Sequence, residues 1–280
     1  MKKVILLTGA SSGIGRDAAL LLAAQGHRVY AAARRMELME PLREKGIVPI
    51  RMDVTDSQSM ADGVKAVIDS EGRIDVLVNN AGYGYFGAIE TVSDEEARRQ
   101  IEVNVFGLAA LCRLVIPHMR RQGAGLIVNT SSIAGMIVLP FGGWYHVSKY
   151  SVEALSDALR MELKPFGIDV SMIEPGGIRT DWGIIAGRHL AESASGTAYE
   201  TAALPEADLL DKAYRGPWLS NPKVVARAIC RAVNSRRPRP RYRIGRFSHT
   251  GVIVHRLLPA RWWDALMRRF VRIKIKSHTT

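Results

Sequence analysis

Cysteine is scarce in this chain, and its two copies have no spacing that indicates a bond or a metal site. Cys112 and Cys230 are the only cysteines among 280 residues, and each lies alone in an apolar pattern typical of a helix. Without a partner nearby, each is predicted to be a buried free thiol, and neither a zinc site nor a disulfide framework is indicated. We therefore expect no metal, and two reduced thiols fit a cytoplasmic location.

Long apolar runs are also missing. No stretch approaches the roughly 18 apolar residues of a transmembrane helix. Lys2 and Lys3, followed by a short apolar run, resemble the start of a signal peptide. That run ends at Thr8, too soon for a secretion signal, so a first β-strand explains it better. The sequence predicts neither a membrane span nor a leader.

Acidic residues are nearly absent from the last part of the chain. From Arg215 onward there are 17 lysines and arginines and one acidic residue, Asp264, whereas the preceding residues hold 22 basic and 26 acidic side chains. The net charge of +12 therefore comes from this part alone. A domain-wide affinity for nucleic acid needs no such split, so we expect no nucleic-acid partner.

Short runs of Val, Ile and Leu alternate with longer amphipathic segments before this basic part. The runs predict strands at residues 3–8, 28–32, 48–53, 76–79, 126–130 and 169–174. The segments predict helices near residues 14–25, 36–45, 57–71, 94–121 and 145–165. Nearly continuous apolar strands between helices are typical of a parallel sheet covered on both faces. The sequence predicts a doubly wound α/β domain, a Rossmann fold.

The alternation weakens beyond the sixth strand. Residues 182–217 mix Gly, Ser, Ala and Pro with short apolar pieces, which we interpret as a mobile substrate insertion. Residues 222–235 predict a further helix, and residues 241–245 an edge strand. We expect one domain over residues 1–248, followed by a separate tail.

The tail, residues 249–280, is predicted to contain a basic amphipathic helix. Its apolar residues recur at helical spacing between arginines: Trp262, Trp263, Leu266, Met267 and Phe270. Three alternatives remain open for it. It could lie on an anionic membrane, pack against a second subunit, or pack a stripe of Trp262, Leu266 and Phe270 on its own domain.

A glycine-rich turn joins the first predicted strand to the first helix. Gly9, Gly13 and Gly15 permit a tight turn, close approach of the backbone to a pyrophosphate, and close packing of helix on strand. The helix N-terminus offers unpaired N–H groups to the anion. The turn predicts a dinucleotide site, whose other members are Ser11, Ser12 and Ile14.

The end of the second strand bears on the choice of dinucleotide. Ala33 stands where an NAD-selective enzyme usually has an acid, and two arginines follow it. The 2′-phosphate that distinguishes NADP(H) from NAD(H) requires a cation, so Arg34 favours NADP(H). The alternative is that both arginines are simply solvated residues. Asp53, followed by Val54, is placed to meet an adenine, or else to cap the next helix.

Tyr145 and Lys149 are four residues apart, so on a helix they share a face. Lowering the pKa of a phenol from near 10 to about 7 requires roughly 4 kcal/mol of preference for the phenolate. A lysine charge nearby, shielded from water, can supply much of that. Such a pair also arises by chance, so its meaning depends on the other motifs.

Six motifs together resemble one family. In chain order they are Gly9-x-x-x-Gly13-x-Gly15, Asn79-Asn80-Ala81-Gly82, Asn104, Ser131-Ser132, Tyr145-x-x-x-Lys149 and Pro175-Gly176. Their order and spacing resemble the short-chain dehydrogenase/reductase family, in its single-domain branch, over roughly residues 3–180. The resemblance implies an NAD(P)-dependent enzyme that transfers a hydride between nicotinamide and a carbonyl or alcohol carbon.

The resemblance implies roles for four residues. Tyr145 donates a proton to the carbonyl oxygen, or removes one in the reverse direction. Lys149 lowers the pKa of Tyr145 and hydrogen-bonds the nicotinamide ribose. Ser132 holds the substrate oxygen, although it could instead bond its own backbone as a turn serine. Asn104 binds a water that links Lys149 to solvent.

Further cofactor contacts are implied where later strands end. The segment Asn80, Ala81 and Gly82 follows the fourth strand and is expected both to stabilise the fold and to contact the cofactor. The residues that would cover the nicotinamide follow the sixth strand, and they are Pro175, Gly176, Ile178 and Thr180. Similar family members are commonly dimers or tetramers, so we expect a homodimer or homotetramer.

The residues predicted near the substrate carry few charges. They are Tyr83, Tyr85, Phe86, Met136, Val138, Leu139, Phe141, Trp144, Ile184, Ile185 and Leu190. This favours a lipophilic ketone or secondary alcohol that is steroid-, retinoid- or fatty-like, and the chain resembles hydroxysteroid and retinol dehydrogenases most. The alternative functions are a catalytically weak nucleotide sensor and a membrane-surface binding protein on the same fold.

Overall fold

The computed structural model describes residues 2–270, whose centre is a seven-stranded parallel sheet. The strands are β1 (Val4–Thr8), β2 (Arg28–Ala33), β3 (Val48–Arg51), β4 (Val76–Asn79), β5 (Gly125–Thr130), β6 (Ile168–Pro175) and β7 (Arg241–Ile244). Their order is β3-β2-β1-β4-β5-β6-β7, and all neighbours run parallel. The predicted doubly wound α/β fold is confirmed, and its strand order reverses between β1 and β4, where such sheets bind ligands.

Helices cover both faces of this sheet. They are α1 (Gly13–Ala24), α2 (Ser57–Glu71), α3 (Asp94–Ile101), α4 (Gly107–Gln122), α5 (Gly143–Leu163), α6 (Asp181–Ala194), α7 (Glu200–Arg215), α8 (Lys223–Asn234), α9 (Thr250–Leu257) and α10 (Ala260–Phe270). The helix predicted over residues 36–45 is instead two short 3₁₀ turns. Pro41, which lacks an N–H donor, stands at the start of the second turn and does not continue an α-helix.

The core has two halves because successive strand residues point to opposite faces. Ile5 and Leu7 of β1 are fully buried on the side that packs against α1 and α8. Leu6, between them, is buried on the side of α2, α4 and α5. A strand buried on both faces must be apolar at every position, which explains the continuous Val, Ile and Leu runs.

One long helical element contains the predicted site residue Asn104. The helices α3 and α4 are joined by a π-helical turn, Glu102–Phe106, so that residues 94–122 form one continuous element. By length and composition it could cross a membrane, which the sequence does not predict. Leu111, Val115 and Met119 of α4 are fully buried in the core, however, and core helices pass the same test.

The insertion predicted to be mobile contains two packed helices, α6 and α7. Its small residues allow close packing: a β-carbon on Gly187 would lie 2.9 Å from the carbonyl oxygen of Ala207. One on Gly183 would lie 2.2 Å from the ring of Tyr214. The glycines that make this segment resemble a loop are therefore needed for the close approach of its two helices.

The described part of the predicted tail packs on the body. Trp263 of α10 is buried against Ile137 and Val252, and its indole nitrogen donates to the carbonyl oxygen of Val138 (3.3 Å). Trp262 and Leu266, predicted for this contact, are exposed instead, because the inward face of α10 runs through Trp263 and Met267. Residues 271–280 and the Phe270 side chain lie outside the described residues.

Candidate active site

A cleft of about 1540 Å³ opens at the carboxyl ends of the strands. Residues after β1, β4, β5 and β6 line it, and α6 and α7 contribute a wall. It brings together every predicted catalytic and cofactor-binding residue except Asn104, which is buried behind it. Residues more than 100 positions apart in the chain meet here, because the parallel strands end at the same edge of the sheet.

The turn after β1 has the geometry that a dinucleotide needs. Gly9 and Gly13 have φ values of 70° and 54°, a region that favours glycine. A β-carbon on Gly15 would lie 2.3 Å from the carbonyl oxygen of Gly9, so no larger residue fits. The Ser12 side chain makes no capping bond to α1, which leaves N–H groups at this helix end without a side-chain partner. The cradle fits a pyrophosphate.

Both arginines after β2 line the cleft. The guanidinium of Arg35 donates to the hydroxyls of Ser11 (3.1 Å) and Ser12 (3.3 Å), so it lies over the glycine turn. Arg34 lies in the same part of the cleft and is exposed. Sequence reasoning selected Arg34 and missed Arg35, although the second cation stood beside it.

Asp53 lies two residues beyond β3 in the cleft and does not cap α2. One of its carboxylate oxygens accepts from the backbone N–H (3.0 Å) and the hydroxyl (2.8 Å) of Thr55. The cap of α2 is Asp56, which accepts from the N–H groups of Gln58 and Ser59. The capping alternative for Asp53 is therefore wrong.

The segment after β4 is tied to the end of β1. The hydroxyl of Thr8 accepts from the backbone N–H groups of Asn80 and Ala81, both at 3.1 Å. The Asn80 amide nitrogen donates to the carbonyl oxygen of Thr8 (3.2 Å). A β-carbon on Gly82 would lie 3.0 Å from Asn104 Oδ1 and 3.8 Å from Lys149 Nζ. The same segment therefore shapes the glycine turn and the site around Lys149.

Tyr145 and Lys149 are buried together on α5. The Lys149 Nζ lies 5.8 Å from the centre of the phenol ring and donates to the carbonyl oxygen of Thr130 (3.0 Å). Trp182 covers the phenol ring at 4.8 Å between centroids, and Phe86 lies at 5.9 Å. The predicted shared face is present, inside an aromatic enclosure.

The charge states of this pair differ from the sequence expectation. Burial raises the pKa of Tyr145 to about 12, and a hydrogen bond with Ser132 opposes that rise. Burial lowers the pKa of Lys149 to about 8, against the charge of Glu153. Exclusion of water is therefore the largest influence on the pKa values of both groups. The phenol stays protonated at neutral pH, the state that a proton donor requires.

Ser132 makes the bond of a turn serine and also lies beside Tyr145. Its hydroxyl accepts from the backbone N–H of Ala134 (3.1 Å), as a turn serine does. The same hydroxyl hydrogen-bonds Tyr145 and lowers its pKa. The turn bond fixes the hydroxyl beside the phenol, where both can meet one oxygen atom of a substrate.

Asn104 lies in the π-helical turn and is buried. Its amide nitrogen donates to the carbonyl oxygen of Tyr83 (2.9 Å) and to the hydroxyl of Ser148 (3.0 Å), and its Oδ1 accepts from the N–H of Tyr83 (3.1 Å). Both amide hydrogens are thus used by the protein. A water could reach only the remaining lone pair of Oδ1, so the side chain mainly joins α5 to the loop after β4.

The residues at and after the end of β6 lie in the same cleft as the glycine turn. Gly176 is required by packing, since a β-carbon there would lie 2.3 Å from the carbonyl oxygen of Arg246. Ile178 is buried, and Thr180 precedes α6 without a capping bond from its side chain. Pro175, Gly176, Ile178 and Thr180 thus line the cleft as a group.

The substrate end of the cleft is aromatic and apolar. Five of the eleven predicted residues line it: Tyr83, Tyr85, Phe86, Leu139 and Ile185. Met136, Val138, Phe141, Trp144, Ile184 and Leu190 do not line it, and Leu190 is core. Missed lining residues are Trp182, Leu209, Leu210, Tyr214, Trp218, Trp263 and Met267. The helical spacing of Trp182 and Ile185 could have indicated a wall.

Within residues 2–270, no group of three His, Cys, Asp or Glu side chains is arranged to hold a metal ion.

Comparison with known proteins decides the family. A model described as short chain dehydrogenase matches residues 3–186. The chain belongs to the short-chain dehydrogenase/reductase family. It is an NAD(P)-dependent oxidoreductase, as the six motifs predicted.

Relatives share most of the chain. The 3-ketodihydrosphingosine reductase of Bacteroides thetaiotaomicron is 37% identical over 247 residues, which cover 87% of this chain and 88% of the relative. Human 17-beta-hydroxysteroid dehydrogenase type 1 is 37% identical over 191 residues, 64% of this chain and 58% of the relative. The family is therefore supported over nearly the whole described fold.

Solved structures agree with the fold. A short-chain dehydrogenase from Streptomyces avermitilis has a TM-score of 0.78 at 33% identity, covering 97% of this chain and 96% of its own. A Burkholderia phymatum family member in complex with NAD has a TM-score of 0.77 at 27% identity and covers 98% of each chain. An alcohol dehydrogenase from Thermococcus sibiricus complexed with 5-hydroxy-NADP has 0.71 at 25%, covering 89% and 98%. Both dinucleotides therefore occur among similar proteins.

The burial of Lys149 has a consequence for stability. A lysine in the unfolded chain titrates near 10.5, and in the folded chain near 8. Between these values the unfolded chain binds one more proton, so stability rises with pH. We expect parent and Lys149→Met free energies of unfolding to diverge by up to about 3 kcal/mol over this window, in favour of the parent as pH rises.

Urea unfolding at several pH values between 7.5 and 10.5 measures this divergence. Lys65→Met, at an exposed lysine paired with Asp69 on α2, is the control and should run parallel to the parent. A parallel curve for Lys149→Met as well would contradict the depressed pKa.

Proposed function

We propose that this enzyme transfers a hydride between NADP(H) and a lipophilic ketone or secondary alcohol. The observation that carries the proposal is a buried phenol at the junction of two different parts of one cleft. On one side lie the glycine turn and two arginines, and on the other lies an aromatic and apolar wall.

The proposed chemistry assigns one task to each catalytic residue. Tyr145 donates its proton to the carbonyl oxygen, and its raised pKa keeps that proton in place until charge develops. Ser132 hydrogen-bonds the same oxygen. Lys149 holds a positive charge near the phenol and binds the nicotinamide ribose, while Asn104 fixes the helix that carries both. The bound dinucleotide supplies or accepts the hydride.

The cofactor residues divide along the cleft. The glycine turn, with Ser11, Ser12 and Ile14, would hold the pyrophosphate. Asp53 and Val54 would meet the adenine, and the segment Asn80, Ala81 and Gly82 would border the adjoining ribose. Pro175, Gly176, Ile178 and Thr180 would cover the nicotinamide. Since Ala33 leaves no acid at the end of β2, Arg34 and Arg35 would bind a 2′-phosphate and favour NADP(H).

The names of two relatives support a lipophilic substrate. One is a reductase of 3-ketodihydrosphingosine and the other a hydroxysteroid dehydrogenase, both of which act beside an apolar skeleton. The wall formed by Trp182, Leu210 and Tyr214 offers the same kind of surface. A nucleotide sensor without turnover is less well supported, because the four catalytic residues are present and assembled.

Replacement of Tyr145 by phenylalanine tests the proton donor. Phenylalanine keeps the packing on Trp182 but has no proton to donate, so carbonyl reduction should fall by about 10² to 10⁴-fold. Binding of NADPH, measured by fluorescence titration, should stay within about twofold. Tyr150→Phe, on the same helix but exposed, is the control. Unchanged turnover of Tyr145→Phe would contradict the mechanism.

Replacement of the arginines tests the cofactor preference. A charge-assisted bond to a phosphate is worth about 1.5–3 kcal/mol, so Arg34→Ala should weaken NADPH binding by roughly tenfold or more. Binding of NADH should change little, and Arg35→Ala should behave similarly. Arg43→Ala, an exposed arginine paired with Glu40, is the control. Equal losses for both dinucleotides would remove the argument for NADP(H).

The outer face of the last two helices supports peripheral membrane contact. Ile253 and Leu257 of α9 and Trp262 and Leu266 of α10 are exposed, and Leu257 reaches 77%. Arg256, Arg261, Arg268 and Arg269 alternate with them along the chain and are exposed, in a part of the chain with one acidic residue. Exposed apolar side chains among arginines suit the boundary of an anionic bilayer. We propose that this face lies on anionic lipid, where a lipophilic substrate would dissolve.

Vesicle co-sedimentation tests this face. Trp262→Ser combined with Leu266→Ser should reduce binding to phosphatidylserine-containing vesicles at least fivefold, since both side chains are exposed and contribute apolar area. Ile89→Ser, an exposed apolar residue elsewhere, is the control. Equal binding of all three proteins, or equal binding to neutral vesicles, would contradict lipid contact.

Association into a homodimer or homotetramer is a separate proposal. The outer face of α5 and the preceding π-helical turn expose Val147, Tyr150, Met161 and Phe106. Apolar residues on one helix face are typical of subunit interfaces.

A further inference from the structure

A second cavity, called here the α10 groove, lies beside the substrate end of the cleft. It has a volume of about 430 Å³ and is formed by residues 138–140, the last turn of α9 and one side of α10. Four residues line both the groove and the cleft, and they are Leu139, Pro140, Trp263 and Met267. The two spaces are therefore neighbours that share one wall.

The fixed part of the shared wall is Trp263. Its side chain is 8% exposed and packs against Ile137 and Val252. Its indole nitrogen donates to the carbonyl oxygen of Val138 (3.3 Å). The imidazole of His255 meets the indole edge-on, with 4.8 Å between centroids. Contacts on several sides hold this ring, so it gives both spaces a defined boundary.

The adaptable part of the shared wall is Met267. It follows Trp263 by one turn on the same face of α10 and is only partly buried. A methionine side chain is unbranched and has three rotatable bonds, so it adjusts to the shape of its surroundings. A change of its rotamer alters the wall where the cleft and the groove meet. A ligand could therefore cross the wall at Met267 while Trp263 stays in place.

The groove changes from apolar to charged along its length. The residues that it shares with the cleft carry no charge, and three of them, Leu139, Pro140 and Met267, are aliphatic. Asp264 and Arg268 line the groove but not the cleft, and both are exposed. The charged residues therefore mark the end that meets water, and the end beside the cleft offers an apolar surface to a ligand.

We propose that the α10 groove extends the substrate site and holds the far end of a long unbranched alkyl chain, which crosses the shared wall at Met267. The inference rests on the proposed function, because it takes the substrate to occupy the cleft between Tyr145 and this wall. A linear alkyl chain can bend beside the indole of Trp263, whereas a rigid fused-ring skeleton cannot bend. The groove thus favours fatty ketones and alcohols over steroids.

A series of methyl ketones of increasing chain length tests the groove. Each ketone is kept below its solubility limit in the same cosolvent and is reduced with NADPH. Burial of one methylene is worth about fourfold in affinity, so kcat/KM of the parent should rise at least tenfold from decan-2-one to hexadecan-2-one.

Replacement of Ala260 by phenylalanine blocks the groove. Ala260 lines the groove but not the cleft, so a phenyl ring at this position fills the first space and leaves the second unchanged. In Ala260→Phe the rise from decan-2-one to hexadecan-2-one should fall below about threefold, because the added methylenes are no longer buried. Turnover of decan-2-one should stay within about twofold of the parent.

Ala265→Phe is the matched control, because Ala265 is exposed on the same helix and lines neither space. It should keep the rise of the parent. No rise in the parent, the full rise in Ala260→Phe, or an equal loss in both variants would overturn the groove and leave the oxidoreductase proposal intact. Turnover of no ketone by the parent would count against the proposed function instead.

Photolabelling decides the groove in that last case, because it needs no turnover. A hexadecanol that carries a diazirine at its far end, photolysed with NADP-loaded parent, should label the peptides that form the groove, within residues 138–140 or 255–268. Labelling there should fall at least fivefold in Ala260→Phe and stay unchanged in Ala265→Phe. Equal labelling of these peptides in all three proteins, or no labelling of them in the parent, would overturn the groove.

Discussion

The exclusion of water from Tyr145 and Lys149 is the constraint on which the site depends. Both groups are ionisable, and both lose solvent when α5 packs on the sheet, so burial favours the neutral form of each. The neutral phenol can donate a proton. The lysine keeps its position because the carbonyl oxygen at the end of β5 accepts its hydrogen bond. Glu153, one turn further along α5, opposes the loss of its charge.

The surrounding structure maintains this burial from three directions. Beneath α5, Arg241 of β7 bonds Glu153, Asp157 and Glu174, and this network joins α5 to the edge of the sheet. Behind it, Asn104 connects α5 to the segment after β4. Above it, the helices α6 and α7 bring Trp182 over the phenol. The helices α6 and α7 also line the proposed substrate end of the cleft, so in the proposed function the same two helices shield Tyr145 and contact the substrate.

The sheet, its parallel strands and the meeting of most candidate site residues in one cleft could be predicted from sequence, because local signals agree with the fold there. Most strands are largely apolar runs, and four of the six motifs lie at strand ends, whereas Asn104 and the pair of Tyr145 and Lys149 lie in helices. The helices α6 and α7 could not be predicted, since Gly183 and Gly187 resemble loop residues until a partner helix is present. The inward face of α10 depends on the hydrogen bond between Trp263 and Val138, which spacing alone does not reveal. The effect of burial on the pKa of Tyr145 could not be predicted, because the sequence shows a neighbouring charge but not the burial.

The central claim is that hydride and proton reach one carbonyl group in this cleft. Incubation of the enzyme with a long-chain ketone and NADPH deuterated at the transferable position of the nicotinamide tests it most directly. Mass spectrometry of the product should find one deuterium on the carbinol carbon for each NADPH consumed, and none on oxygen after exchange with water. Oxidation of NADPH without deuterium in the alcohol, or no alcohol at all across a range of lipophilic ketones, would contradict the account.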